Sequence, residues 1–338
     1  MTELHRLTVI GAGSWGTALA IQFARAGSAV TLWGRNPEQL EQLVVSRVNE
    51  RYLPGAAFPD TLHAVTNWDE AVKGAETILV SVPSHAFRGV LETLAKQPGL
   101  SSDTLSLCWA TKGLEMSTGL LPHQVVRDVL PECSRVAVLS GPTFATEVGI
   151  GLPTAITVAA TDETYATELA ERISSPGFRA YTSTDIVGVE IGGAVKNVLA
   201  IAAGLSDGLG FGANARIALI NRGLREMMRL GEVMGAKPET FSGLACMGDL
   251  VLTCTDNQSR NRRTGLALAE GRSISDIEAD MGQVVEGVSA ARAVHEQALR
   301  LHADMPIVEQ VYRIVHEGIS ARDAVSALMA RATGAELD

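Results

Sequence analysis

Lys196 is the residue whose type and place ask for a chemical explanation. It lies in "GVEIGGAVKNVLAIAAG", Gly188 to Gly204, among residues that are nearly all apolar or small. A cation rarely belongs in a segment with the composition of a buried helix. On a helix, its neighbours at i±3, i±4 and i+7 are Gly192, Gly193, Ala200 and Ala203. Side chains that small are expected to leave an open groove beside the ammonium. The bland alternative is a lysine that snorkels to water. The chemical one is a general acid/base, because a dry site lowers a lysine pKa from about 10.4 towards a value useful near neutrality. Asp249, in the apolar stretch "CMGDLVLTCT", is a buried carboxylate that needs a partner and could orient the lysine or hold its charge.

A second constellation supplies something for such a lysine to act on. "VIGAGSWG" sets Gly11, Gly13 and Gly16 in G-x-G-x-x-G spacing, after a strand and before a helix. The first glycine permits a tight turn, the second a close approach to a pyrophosphate, the third close packing of helix on strand. A ligand-free glycine turn is the alternative, and the strand–helix context argues against it. The second strand ends "TLWGRNPE", with Arg35 where an NAD-specific site usually carries an acid. A guanidinium suits a 2′-phosphate, so NADP(H) is favoured and NAD(H) possible. Glu38 is close by but follows Pro37, inside the next helix. Hydride transfer from such a cofactor to a ketone creates an alkoxide that a lysine can protonate.

Three later strands end in "VSVPSH", "WATKG" and "LSGPTFA", giving Pro83 and Ser84, then Lys112, then Gly141, Pro142 and Thr143. Each alone is an ordinary turn; together at one sheet edge they predict a cleft, with Lys112 as a cation at its mouth. "NQSRNRR" places Ser259, Arg260 and Asn261 at a helix start, a hydroxyl, guanidinium and amide that suit an anion. The alternative there is an N-cap serine with solvated arginines. Glu286 in "GQVVEGVSA" is either a helix-cap carboxylate or a site residue.

The elements that must position these groups fall into two halves. Continuous β-branched runs, Leu7–Ile10, Ala29–Trp33, Thr77–Val82, Thr104–Ala110, Arg135–Ser140 and Thr154–Ala160, alternate with helical patterns at Trp15–Ala26, Pro37–Asn49 and Ser84–Lys96. They predict a doubly wound, Rossmann-type α/β domain with a parallel sheet over residues 1–189. Helical periodicity then dominates, predicting an all-α domain over residues 190–338 that carries substrate binding and catalysis. The 338 residues, 46% hydrophobic, suffice for two cores.

Composition excludes several classes. A net charge of -10 opposes nucleic-acid binding and gives no polybasic membrane signal. Four scattered cysteines, Cys108, Cys133, Cys246 and Cys254, read as reduced cytosolic thiols, and no Cys/His cluster suggests a metal. The early first strand leaves no room for a signal peptide, and Lys196 interrupts the best candidate for a membrane span.

The motifs "VIGAGSWGTALA", "VPSH", "WATKGLE", "SGPTFA", "GGAVKNVLAIAAG", "GFGANARIALI", "CMGDLVLTCT", "NQSRNRR" and "GQVVEG" stand in an order that resembles the bacterial type of NAD(P)-dependent glycerol-3-phosphate dehydrogenase along essentially the whole chain. The resemblance implies reversible reduction of dihydroxyacetone phosphate to sn-glycerol 3-phosphate for phospholipid synthesis, by a cytosolic homodimer. It implies Lys196 as the general acid/base. It implies cofactor contacts from Ser14, Trp15, Arg35, Lys112, Ala145, Arg260, Val284 and Glu286. It implies substrate contacts from Lys112, Gly141, Thr143, Lys196, Asp249, Ser259, Arg260 and Asn261. Thr143 replaces the serine of some relatives and keeps the hydroxyl; Thr146 stands where the family often has lysine. Two other readings stay open. A reductase of 3-hydroxy-acid or ketopantoate-like substrates would not need the "NQSRNRR" clamp. A dinucleotide-sensing module would not need a buried lysine facing a groove.

Overall fold

The computed structural model describes residues 4–100, 105–282 and 284–329. Two compact units emerge, Met1–Lys112 with Pro122–Ile186, and Gly113–Leu121 with Val187–Asp338. A single crossing between residues 189 and 190 does not anticipate the excursion at Gly113–Leu121. Its cause is apolar: Leu114 and Leu121 belong to the core of the helical unit, and Arg300 Nη1 donates to the Thr118 carbonyl at 2.8 Å.

The first unit is built on β1 (Arg6–Ile10), β2 (Ala29–Trp33), β3 (Val48–Asn49), β4 (Leu53–Ala57), β5 (Leu62–Ala64), β6 (Thr77–Val80), β7 (Ser106–Trp109), β8 (Arg135–Ser140), β9 (Thr154–Ala160) and β10 (Phe178–Ser183). Eight of these form one sheet in the order β10-β9-β8-β7-β6-β1-β2-β5; β3 and β4 form a separate hairpin. The strands from β5 to β8 are all parallel, and successive strands are added first on one side of β1 and then on the other, the order of a doubly wound dinucleotide-binding domain. Strands β1, β6, β7 and β8 are buried almost throughout, as their unbroken apolar sequences require.

The all-parallel expectation fails at one pair: β9 runs antiparallel to β8. The short Ala145–Ile150 helix between them packs on the Ser14–Arg25 helix and β4, so the chain returns along the same edge. Strand β10 escapes a rule tuned to apolar runs, because only Phe178 of "FRAYTS" is buried. The expected Pro37–Asn49 helix stops at Ser46, where Arg47 turns left-handed at φ 52°, and β3 follows.

The second unit is helical. Its spine is the Ile186–Gly208 helix, buried along nearly its whole length. Among the described residues it is the one helix long and apolar enough to cross a membrane by length and composition. Here Val195, Val198, Leu199 and Ile201 instead fill the core, with Met227 and Leu230 of the Gly212–Met234 helix and Val294 of the Glu286–Leu301 helix. The Asp249–Thr255 helix faces Lys196, and the Arg260–Ala269 helix packs on the lysine helix further along, at Ile201 and Gly204.

Candidate active site

In the first unit, backbone geometry accounts for two of the three fingerprint glycines. Gly11 has φ +121°, and a Cβ there would lie 2.1 Å from the Ser81 carbonyl oxygen. A Cβ on Gly16 would lie 1.8 Å from the Gly11 carbonyl oxygen, so turn and helix touch directly. Gly13 differs: its Cβ would meet nothing within 4 Å, so packing does not demand glycine there. That is the position where a pyrophosphate needs the backbone bare. Gly13 is the N-cap of the Ser14–Arg25 helix, whose first turn has no acidic residue to compete with an anion. The buried Trp15 indole nitrogen has no acceptor among the described residues. These features fit a dinucleotide.

The loop is held from behind. Gln39 Nε2 and Asn49 Nδ2 donate to the Ala12 carbonyl at 2.8 and 3.0 Å, and Asn49 Nδ2 also reaches Thr17 Oγ1 at 2.8 Å. Ser14 Oγ donates to the Tyr52 carbonyl at 2.6 Å. Sequence reasoning missed Gln39 and Asn49, whose partners lie in other elements. Arg35 is exposed just past β2, and Glu38 is exposed in the first turn of the Pro37–Ser46 helix.

Because β1, β6, β7 and β8 are parallel, the segments after them share the sheet's carboxyl edge, as expected. Pro83 caps the Ser84–Ala95 helix after β6. Lys112 follows β7, half-buried, and neighbouring Thr111 Oγ1 donates to the Val82 carbonyl at 2.8 Å, tying the ends of β6 and β7. After β8, a Cβ on Gly141 would lie 3.1 Å from Ile156 Cα, and Thr143 Oγ1 donates back to the Gly141 carbonyl at 3.1 Å. Ala145 opens the next helix.

In the helical unit, Lys196 Nζ lies 2.6 Å from Asp249 Oδ1 and 3.1 Å from Thr253 Oγ1. Thr253 donates its own proton to the Asp249 carbonyl at 2.6 Å, which leaves its oxygen to accept from the lysine. The three residues are 8%, 2% and 5% exposed. Thr253 is a site residue the sequence reading missed; its signal was the i+4 spacing from Asp249.

On one flank of Lys196 the small residues are packed against the protein itself. A Cβ on Gly192 would stand 2.6 Å from Cys246 Sγ and 2.8 Å from the Ala245 carbonyl oxygen, and Ala200 and Ala203 are fully buried. Further along the same helix, glycine lets it pack backbone against backbone on the Arg260–Ala269 helix. A Cβ on Gly204 would lie 2.0 Å from the Arg262 carbonyl oxygen, and one on Gly265 2.1 Å from that of Ile201.

In the "SRN" segment the N-cap reading holds. Ser259 is an N-cap, its Oγ accepting from the Arg262 amide at 3.2 Å. Asn261 is buried, and its Oδ1 accepts from the Gly287 amide at 2.9 Å, which leaves the Nδ2 end to donate. Arg260 Nη2 lies 4.0 Å from Glu286 Oε1, and Asn197 Nδ2 is 3.4 Å from Glu286 Oε2. Thus Arg260, Asn261 and Glu286 come together beside Asn197, another residue the sequence reading missed. Val284 is 66% exposed just before them. The four cysteines are free and buried, and burial pushes the Cys133 thiol up to about 11 and the Cys254 thiol up to about 12. Among the described residues no group of three or more His, Cys, Asp or Glu could hold a metal ion.

A doubly wound dinucleotide-binding unit joined to a helical unit with a buried lysine–carboxylate pair defines a two-domain nicotinamide-dependent dehydrogenase. Residues 6–166 match the family model described as the N-terminus of NAD-dependent glycerol-3-phosphate dehydrogenase, and residues 185–326 the corresponding C-terminus. The chain belongs to that family and depends on NAD(P). It is 54% identical over 326 residues to "Glycerol-3-phosphate dehydrogenase [NAD(P)+]" of Vibrio cholerae serotype O1, covering 96% of this chain and 94% of that protein. Its fold matches the crystal structure of glycerol-3-phosphate dehydrogenase from Coxiella burnetii with a TM-score of 0.91 at 45% identity, over 97% of this chain and 99% of that one. A ketopantoate reductase from Ralstonia eutropha JMP134, at 17% identity and TM-score 0.59 over 95% of this chain and 99% of that one, shares the fold alone.

Proposed function

We propose that this chain interconverts dihydroxyacetone phosphate and sn-glycerol 3-phosphate, with Lys196 as general acid/base, and that it supplies glycerophospholipid synthesis. The observation that carries the reading is the buried ion pair, Lys196 Nζ to Asp249 Oδ1 at 2.6 Å. Bound nicotinamide dinucleotide supplies a hydride to the ketone carbon. In the reducing direction the Lys196 ammonium, paired with the Asp249 carboxylate, is the proton donor to the developing alkoxide oxygen. In the oxidising direction the neutral amine takes the proton back.

Arg260, with a half-exposed guanidinium, and Asn261, through its Nδ2, hold the substrate phosphate at the helix start that Ser259 caps. Lys112, Gly141 and Thr143 bring a cation, a bare backbone and a hydroxyl to the substrate from the carboxyl edge of the sheet. Gly11, Gly13, Ser14, Trp15, Gly16 and Ala145 bind the cofactor from that unit; Lys112, Arg260, Val284 and Glu286 add contacts. The exposed Arg35 favours the 2′-phosphate of NADP(H) over NAD(H). The assembly is read as a cytosolic homodimer, which light scattering on the purified chain tests.

The deciding assay is NADPH oxidation with dihydroxyacetone phosphate, beside a keto acid such as ketopantoate. Turnover with the phosphorylated ketone alone supports the reading. Turnover with the keto acid alone sinks it.

A further inference from the structure

The sequence "SRNRR" offers its arginines as equivalents, but Arg260 and Arg262 face opposite ways. The Arg260 side chain is 39% exposed and that of Arg262 10%. The Arg262 guanidinium has three partners, all protein. Nε donates to the Cys254 carbonyl at 3.1 Å, Nη1 to Asn257 Oδ1, and Nη2 to Asp207 Oδ2 at 2.5 Å.

Each partner belongs to a different piece of the site. Cys254 lies in the last turn of the helix that carries Asp249 and Thr253, where a guanidinium satisfies an orphan carbonyl at the negative helix end. Asn257 lies in the loop leading to Ser259. Asp207 lies in the last turn of the helix that carries Lys196. A carboxylate is unfavourable at that end, and it is offset by two guanidiniums: Arg216 Nη1 reaches both its oxygens at 2.9 and 2.8 Å. The Gly204 and Gly265 contacts bring the lysine helix and the Arg260–Ala269 helix backbone to backbone beside this pair. The glycines allow the close approach of the two helices, and the Arg262–Asp207 ion pair bridges them at the end of the lysine helix.

We propose that Arg262 and Asp207 are positioning residues that fix Arg260 and Asn261, the phosphate-holding groups, relative to Lys196. The proposal rests on the reading of Arg260 and Asn261 given above. A displacement of about 1 Å in such groups can reduce a rate on the order of 100-fold.

The test compares kcat/KM for dihydroxyacetone phosphate with kcat/KM for unphosphorylated dihydroxyacetone, in the full-length protein with NADPH. Arg262→Lys keeps a cation for Asp207 but loses the planar fork that also reaches Cys254 and Asn257. Its ratio of the two values is expected to fall at least about tenfold, with a matching rise in the inhibition constant of inorganic phosphate. Asp207→Asn is expected to lower the ratio in the same direction. An unchanged ratio in both variants overturns the proposal, whether or not melting temperature and both activities fall together, since a merely structural role lowers both substrates alike. Arg260→Ala serves as the control. If it leaves the ratio intact, the phosphate reading itself fails; if it lowers the ratio while Arg262→Lys and Asp207→Asn do not, only the positioning role fails.

Discussion

Lys196 and Asp249 are 53 residues apart in sequence and 2.6 Å apart in space, on two helices of one unit. Both are buried, so neither charge is tolerable alone. Removing one partner of such a pair typically costs about 3–5 kcal/mol. That sets a condition on every experiment here: a variant that strands the Asp249 carboxylate tests folding before it tests chemistry.

Arg260→Ala is expected to raise KM for dihydroxyacetone phosphate by roughly one to two orders of magnitude, the scale of a lost charge-assisted pair, with a smaller effect on kcat. Steady-state kinetics at saturating NADPH check this. An unchanged KM contradicts a phosphate role for the exposed guanidinium.

Arg35→Ala is expected to raise KM for NADPH while leaving that for NADH nearly unchanged, because only the former carries the 2′-phosphate. Parallel titrations of the two cofactors decide it. An equal effect on both assigns Arg35 to the adenine or to the loop.

Glu226 gives a pH signature independent of catalysis. Its carboxylate is 2% exposed and accepts from the Ile307 and Val308 amides at 2.6 and 3.1 Å. Burial pushes it up from 4.5 to about 8, against those two donors and Arg229, with Asp304 adding to the rise. A folded pKa above the unfolded one makes the protonated form stabilising. That stability is full below about pH 4.5 and is lost progressively up to about pH 8. The melting temperature of the wild type, measured relative to Glu226→Gln, is therefore expected to fall between those values and level off above. A difference independent of pH contradicts this assignment.

What the sequence disclosed divides along physical lines. The glycine fingerprint was legible because a turn and a helix contact each restrict one position locally, as Gly11 and Gly16 show, whereas nothing in the protein itself restricts Gly13. Lys196 was legible because a charge in an apolar helix has few explanations, and Asp249 because a carboxylate in an apolar stretch needs a cation. Small residues mark either open space or close packing, and sequence alone does not distinguish them: Gly192 packs against Cys246, and Gly204 against the Arg262 backbone. Arg260 and Arg262 could not be told apart, since which one turns inward depends on Asp207, more than fifty residues earlier in the chain. Strand β9 reads like its parallel neighbours, and its direction is set by where the Ala145–Ile150 helix packs.

The central claim is that Lys196 moves the proton. The most direct measurement is the single-turnover rate of ketone reduction by Lys196→Met/Asp249→Asn, which removes both buried charges together, alongside its NADPH dissociation constant. The account predicts a folded protein that binds NADPH as the wild type does and reduces dihydroxyacetone phosphate about 100- to 10,000-fold more slowly, the range of a lost general acid. A folded variant with wild-type NADPH affinity and a rate within a few fold of the wild type would contradict it.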